Sequence, residues 1–352
     1  MDAFVPLIEL TRGPLIESIH FGAVAVCEPG GRLLFGAGDP GLVANLRSSA
    51  KPFQILSLVE GGGLEAFGLN ERELAIGCSS HSGTDEHARV LAEMQAKIGV
   101  QESDLSCGVH YPLYEPAARK LRSRGERPTS NRHNCSGKHT AMLANARAHG
   151  FPIEDYLNTN HPLQGLILQT FAEMVSLPAG EVLVGIDGCS APTFAAPLRC
   201  SAHAYALLAD PGSLLQPRAQ ALNRIRAAMQ AYPDMIAGPE RWDTLVMQAA
   251  HGKVISKSGA EGFQGMAVMP GALGPGSPAL GIALKIADGD PAGRASAAAA
   301  MAVLIQLGVL NEAERAALES FDRRPLRNWR EIEIGELRPA FKLQAMVGSG
   351  PG

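Results

Sequence analysis

The sequence predicts a mixed α/β (α+β) protein: a central, mainly antiparallel sheet built from the two ends of the chain, with a helical lobe inserted between them. Three observations carry this. Short apolar runs bounded by Gly and Pro cluster at both ends. Helical patterns dominate the stretch between them. No repeat or low-complexity linker divides the chain. The expected organisation is one domain over residues 1–338. Its sheet part lies at about 1–45 and 245–338, its helix-rich middle at about 46–244, and 339–352 reads as a tail.

Residues 7–10, 22–28 and 32–36 read as strands, the last two forming a hairpin around Pro29-Gly30-Gly31. Residues 49–60 read as a helix stopped at Gly61-Gly62-Gly63. Pro52 suits only its first turn, where a missing N–H removes no intrahelical bond. Residues 84–98 and 138–149 carry further helical patterns, the second stopped by Gly150, and 164–175 and 216–231 follow. Residues 181–186 form a short apolar strand ending at Asp187-Gly188. Residues 253–258 and 264–269 flank Gly259-Ala260-Glu261-Gly262, a second hairpin signal. A strand at 280–286, closed by Asp288-Gly289, precedes a helix at 293–307. Past Pro339 no element is expected, and 348–352 reads as a frayed end.

Composition narrows the function classes. The 352 residues are 46% hydrophobic and 19% charged, with a net charge of −4. That balance argues against nucleic acid or an acidic membrane as partner. The 39 glycines and 24 prolines make a loop-rich chain, well short of disorder. The most apolar stretch, 295–309, is too short to cross a bilayer. The first residues show no basic, apolar and small-residue succession of a signal peptide. Six scattered cysteines without CxxC spacing read as reduced thiols, so the expected compartment is the cytoplasm.

Five short motifs can carry chemistry. Ser48 and Lys51 stand at i, i+3, on one face of a helix start, whereas Ser49 diverges from Lys51. A serine hydroxyl becomes a nucleophile only when a base takes its proton; the plain alternative is a capping serine beside a solvated lysine. In Gly77-Cys78-Ser79-Ser80-His81-Ser82-Gly83, Ser80 or Ser82 can hold a substrate or relay a proton, or the cluster caps the next helix with Glu86 near the capping-box position. Asn134-Cys135-Ser136-Gly137-Lys138-His139 reads as a loop opening a helix. Arg132 stands where a Walker A loop needs Gly. Cys135 suits zinc, and Lys138 does so only when deprotonated; His139 is the more orthodox ligand. Asp187-Gly188-Cys189 follows a strand end, a common place to hold a substrate ammonium, and reads equally as a turn with a buried thiol. Lys257-Ser258-Gly259 lies on a strand. With Ser48-x-x-Lys51 it matches the layout of penicillin-recognising serine acyl-transferases. Their Ser-Asp-Asn motif is absent, which argues against a β-lactamase or penicillin-binding protein proper.

Together, Arg47-Ser48-Ser49-Ala50-Lys51-Pro52, Cys78-Ser79-Ser80-His81, His133 to His139, Asp187-Gly188-Cys189 and Lys257 to Gly262 resemble the rhizobial-type (class 3, asparaginase II) L-asparaginases. The likeness runs from about 22 to 289 in the family's order and includes Arg241-Trp242-Asp243-Thr244. Lys-Ser-Gly replaces the usual Lys-Thr-Gly and keeps a hydroxyl. The resemblance implies a serine β-lactamase/glutaminase-like fold and hydrolysis of L-asparagine through an acyl-enzyme. It pairs Ser48 with Lys51 and Ser80 with Lys257. It assigns a zinc ion to Cys135, Lys138 and Cys189, ordering the site. Arg47, His139, Asp187 and Glu261 fall to the substrate, Arg47 for its α-carboxylate and Asp187 for its ammonium. It also implies a homodimer. Among the rivals, a glutaminase needs one more methylene in the pocket, worth only about 1–3 kcal/mol. A zinc deaminase needs H-x-E and P-C-x-x-C, which are absent. A catalytically silent amino-acid-binding relative would lack turnover.

Overall fold

The longest strand of the computed structural model, Leu15–Cys27, is buried from Gly22 onward. A strand covered on both faces needs apolar residues at successive positions, and Ala23-Val24-Ala25-Val26-Cys27 supplies them. Among the described residues, 3–346, it lies at the centre of a nine-stranded sheet. The main path runs Arg324–Arg327, Glu333–Pro339, Val5–Arg12, Leu15–Cys27, Leu280–Ile286, Phe263–Val268, Val254–Gly259. Leu33–Ala37 branches from Leu15–Cys27 and pairs with Gln344–Ala345. The neighbours pair antiparallel. The sheet is thus assembled from both ends of the chain, as the sequence predicts. The segment read as tail from 339 contributes the strand Gln344–Ala345, while 348–352 lies outside the described residues.

The chain divides into two compact units. The first holds this sheet and comprises residues 3–49, 196–210 and 245–346. Its helix Leu198–Ala209 packs against Leu280–Ile286 so closely that a Cβ on Gly281 would lie 1.9 Å from the Ala202 carbonyl oxygen. Only glycine permits that approach. Nine of this helix's residues are buried, Arg199, Cys200 and His203 forming its outer face, and it starts directly after Pro197 without a side-chain cap; the sequence reading passes over it. At the start of the helix Ser296–Gln306 the Asp290 carboxylate accepts the amides of Ala295 and Ser296, donors that have no partner within the helix.

The second unit, residues 50–195 and 211–244, is mainly helical. The helix expected at 49–60 is broken into Arg47–Ala50, a 3₁₀ turn, then Lys51–Gln54 and Leu56–Glu60, which meet at Ile55. Asp85–Ile98, Ser136–Ala148, Pro162–Met174 and Gln216–Ala231 match their expected positions to within two residues. Thr84 caps Asp85–Ile98, and the reciprocal partner is His87 rather than Glu86. Glu71–Gly77, capped by Asn70 and Glu73, is a helix the sequence reading passes over. Leu183–Ile186 pairs antiparallel with Pro192–Pro197 and ends, as expected, at Asp187. Among the described residues no helix is long and apolar enough to cross a membrane.

Candidate active site

In the first unit the turn Arg47–Ala50 carries Arg47 at φ 50°, left-handed backbone that costs a residue with a side chain roughly 1–2 kcal/mol. Ser48 and Ser49 follow, both buried. The Ser49 hydroxyl donates to the Lys257 carbonyl at 2.6 Å. Lys257 lies buried on Val254–Gly259, and its Nζ donates to the Ser258 carbonyl at 2.7 Å. The turn sits so close to this strand that a Cβ on Gly259 would lie 2.3 Å from the Leu46 carbonyl oxygen. Glu261 is exposed at the hairpin turn, at φ 59°, and its carbonyl accepts from Lys285 Nζ.

In the second unit Lys51 opens its helix fully buried. Its Nζ donates to the Ser79 carbonyl, to Ser80 Oγ at 3.0 Å and to Cys135 Sγ at 3.3 Å. A buried polar group of this kind needs such partners to offset lost hydration. Ser80 is held by its own amide, which donates to the Ile236 carbonyl at 2.8 Å. His81 is fully buried beside it. Its Nδ1 accepts from the Gly83 amide, so its Nε2–H donates to Ser136 Oγ at 2.9 Å. Ser136 in turn donates to the His133 carbonyl. This chain ties the Ser80 loop to the start of helix Ser136–Ala148. Gly137 allows the contact, since a Cβ there would lie 1.9 Å from the Ile76 carbonyl oxygen.

The same helix start brings Cys135 and Lys138 to Cys189. Lys138 Nζ is 3.1 Å from Cys189 Sγ, and all three residues are buried. A hydrogen bond from Cys189, aided against burial by Lys51, His133 and Lys138, holds the Cys135 thiol well below its ordinary pKa. Donating to Cys135, together with burial, pushes Cys189 up. Burial disfavours charge on Lys138, but the thiols of Cys189 and Cys135 and the Asp187 carboxylate hold its pKa above that of free lysine. Asp187 is half-buried, its Oδ1 accepting the Gly188 amide at 2.8 Å. His139 is fully buried, with Nδ1 2.6 Å from the Tyr156 hydroxyl and Nε2 without a hydrogen-bond partner.

Of the sequence-marked residues, Arg47, Ser48, Lys257 and Glu261 thus belong to the first unit, and Lys51, Ser80, Cys135, Lys138, His139, Asp187 and Cys189 to the second. The sequence reading does not foresee the Lys51–Cys135 contact, the His81–Ser136 tie or the Tyr205 hydroxyl, which donates to the Ser49 carbonyl at 2.7 Å. His81 had a signal, its place between Ser80 and Ser82; Tyr205 had none, lying in the unmarked helix. Among the described residues no three of His, Cys, Asp and Glu gather as around a metal ion. The convergent donors are two thiols and one amine. Two sulfurs with a nitrogen suit zinc and exclude magnesium or calcium by softness, so this set fits the expected ion.

His81 and His87 are buried, and burial first of all holds both pKa values below 6.5. The folded chain keeps them neutral, while the unfolded chain takes up a proton on each below about pH 6.5. Stability is therefore full above that pH and falls as pH drops below it, by up to about 1.4 kcal/mol per pH unit per histidine. Urea unfolding at pH 7.0 and 5.5, above the carboxylate range, is expected to show that loss, with a shallower loss in His87→Gln. Equal stability at the two pH values would contradict it.

The sequence model of the L-asparaginase II family matches residues 8–339. No curated protein sequence matches the chain significantly. Similar solved structures include a probable glutaminase from Bacillus subtilis complexed with 6-diazo-5-oxo-L-norleucine. It is 14% identical, with a TM-score of 0.36, over 78% of this chain and 79% of that one. A Bacillus glutaminase crystallised in 4.3 M NaCl is 14% identical, with a TM-score of 0.38, over 82% and 92%. The family match spans nearly the whole chain and takes in every motif described above: the chain belongs to the L-asparaginase II family, and is an amidohydrolase.

Proposed function

We propose that the chain hydrolyses L-asparagine to L-aspartate and ammonia through an acyl-enzyme on Ser48. The observation that carries the reading is the turn Arg47–Ala50, in which the Ser49 hydroxyl is committed to the Lys257 carbonyl. That supports Ser48, three residues before the buried Lys51, as the nucleophile. Lys51, as the neutral amine, takes the Ser48 hydroxyl proton while Oγ attacks the side-chain amide carbon. Lys51 then gives that proton to the departing nitrogen as the C–N bond breaks, releasing ammonia and leaving the ester on Ser48. Water attacks the ester carbon and gives one proton to Lys51, which passes it to Ser48 Oγ as the bond from the acyl carbon to Oγ breaks and L-aspartate leaves. Ser80 and Lys257 move protons between these steps; the 3.0 Å bond from Lys51 to Ser80 supports the first transfer. General acid–base help of this kind is worth roughly 10²–10⁴ in rate.

Arg47 holds the substrate α-carboxylate and Asp187 its ammonium, and His139 and Glu261 complete the contacts. The unpartnered Nε2 of His139 supports its part. The family match supports an amide substrate; asparagine over glutamine is the finer part of the proposal. The six free cysteines are consistent with work in the cytoplasm, and a homodimer is the proposed assembly.

Ammonia release from L-asparagine and L-glutamine at equal concentration tests this directly. We expect faster release from asparagine, none from Ser48→Ala, and reduced release from Ser49→Ala. Equal activity in the two variants would overturn the nucleophile assignment, and faster release from glutamine the substrate.

Zinc would be held by Cys135, Lys138 and Cys189, fixing two loops whose ligands are far apart in sequence; when bound it supplies order and local positive charge. Lys138 and Cys189, both with raised pKa values, must shed protons to ligate. Zinc affinity is therefore expected to fall as pH drops. Elemental analysis of protein purified without chelator should find zinc, mostly lost in Cys135→Ala and Cys189→Ala. Protein that takes up none at pH 8, or variants that keep it all, would contradict the ligand set.

A further inference from the structure

We propose that Tyr205 is a positioning residue for the turn that presents the nucleophile, an inference that rests on the reading of Ser48 above. The left-handed backbone at Arg47 is a conformation that persists only where its surroundings over-determine it. Two residues on, Ser49 is held at three points. Its amide donates to the Leu46 carbonyl at 3.0 Å, its hydroxyl to the Lys257 carbonyl at 2.6 Å, and its carbonyl accepts from the Tyr205 hydroxyl at 2.7 Å. The first bond closes the turn, the second ties it to the strand Val254–Gly259, and the third ties it to the helix Leu198–Ala209.

Tyr205 is itself seated without freedom. It is fully buried, and its ring lies against the strand Phe263–Val268 at Gly265. A Cβ there would lie 2.0 Å from its Cε2 and 2.5 Å from its hydroxyl oxygen. Gly259 does the same for the turn on the neighbouring strand. Two glycines on adjacent strands thus form a slot, one taking the phenol ring and the other the turn. The phenol hydroxyl fixes the direction of the Ser49 carbonyl, and so the peptide that follows Ser48 and Ser49. A misplacement of about 1 Å at a reacting atom can cost about 10²-fold in rate, so a hydroxyl that never meets substrate can still govern turnover.

The test is steady-state hydrolysis of L-asparagine by wild type, Ser48→Ala, Tyr205→Phe, Ser49→Ala and the Tyr205→Phe/Ser49→Ala double variant, well below each Tm. Tyr205→Phe keeps the ring in its slot and removes only the hydroxyl. It is expected to lower kcat about 10- to 100-fold, with KM within about 2-fold and Tm within about 4 °C of wild type. Ser49→Ala should act in the same sense, and the double variant should lose less than the product of the two, because both act on one turn. Wild-type kcat in Tyr205→Phe, with or without a lower Tm, overturns the proposal while an inactive Ser48→Ala leaves the nucleophile in place. Multiplicative losses in the double variant overturn it also. Turnover in Ser48→Ala instead overturns the nucleophile, and the proposal falls with it.

Discussion

The first-unit site depends on how closely residues 46–50 lie against the strand Val254–Gly259. No side chain fits between them: a Cβ at Gly259 would sit 2.3 Å from the Leu46 carbonyl. The closeness lets a backbone carbonyl, that of Lys257, accept the Ser49 hydroxyl. It also brings Ser49 to the Lys-Ser-Gly strand, although some 200 residues separate them in sequence. Without that approach Arg47 has no reason to hold a left-handed backbone, and Ser48 no defined direction.

The second unit solves a different problem, that of keeping lysines buried. Lys51 and Lys138 are both excluded from water, and each is met by a thiol: Lys51 by Cys135, Lys138 by Cys189. The thiols share one hydrogen bond, with Cys135 the acceptor that carries negative charge. The hydrogen bond from Cys189, and after it Lys51, His133 and Lys138, hold the Cys135 thiol acidic in an environment that would by itself make it the reverse. The His81–Ser136–His133 chain then fixes the Ser80 loop to the same helix start.

Much of the fold was legible because hydrophobic pattern and punctuation agree. Glycine turns after Glu28 and Ser258 gave both hairpins, and the helices at 85–98, 136–148, 162–174, 216–231 and 296–306 carried clear patterns or caps. What escaped had physical reasons. Leu198–Ala209 starts directly after Pro197 with no side-chain cap to announce it. Pro192–Pro197 is bounded by prolines, which read as breaks. The helix after Ser49 breaks at Ile55 with no glycine or proline to announce it. In the site, the expectation that Ser49 turns away from Lys51 rests on helical spacing, whereas residues 47–50 form a 3₁₀ turn that opens on left-handed backbone at Arg47. The meeting of Cys135 and Lys138 with Cys189 did not: chain closure over more than 50 residues leaves no local trace, and only the family resemblance pointed to it. Tyr205 was invisible twice over, in an unmarked helix and acting through a backbone carbonyl.

The central claim is a covalent intermediate on Ser48. Rapid acid quench of the enzyme turning over L-asparagine, followed by peptide mass mapping, tests it most directly. The account predicts the added mass of one aspartyl ester on the peptide containing Ser48, absent in Ser48→Ala. An adduct on Ser80 or on Cys135 would contradict it.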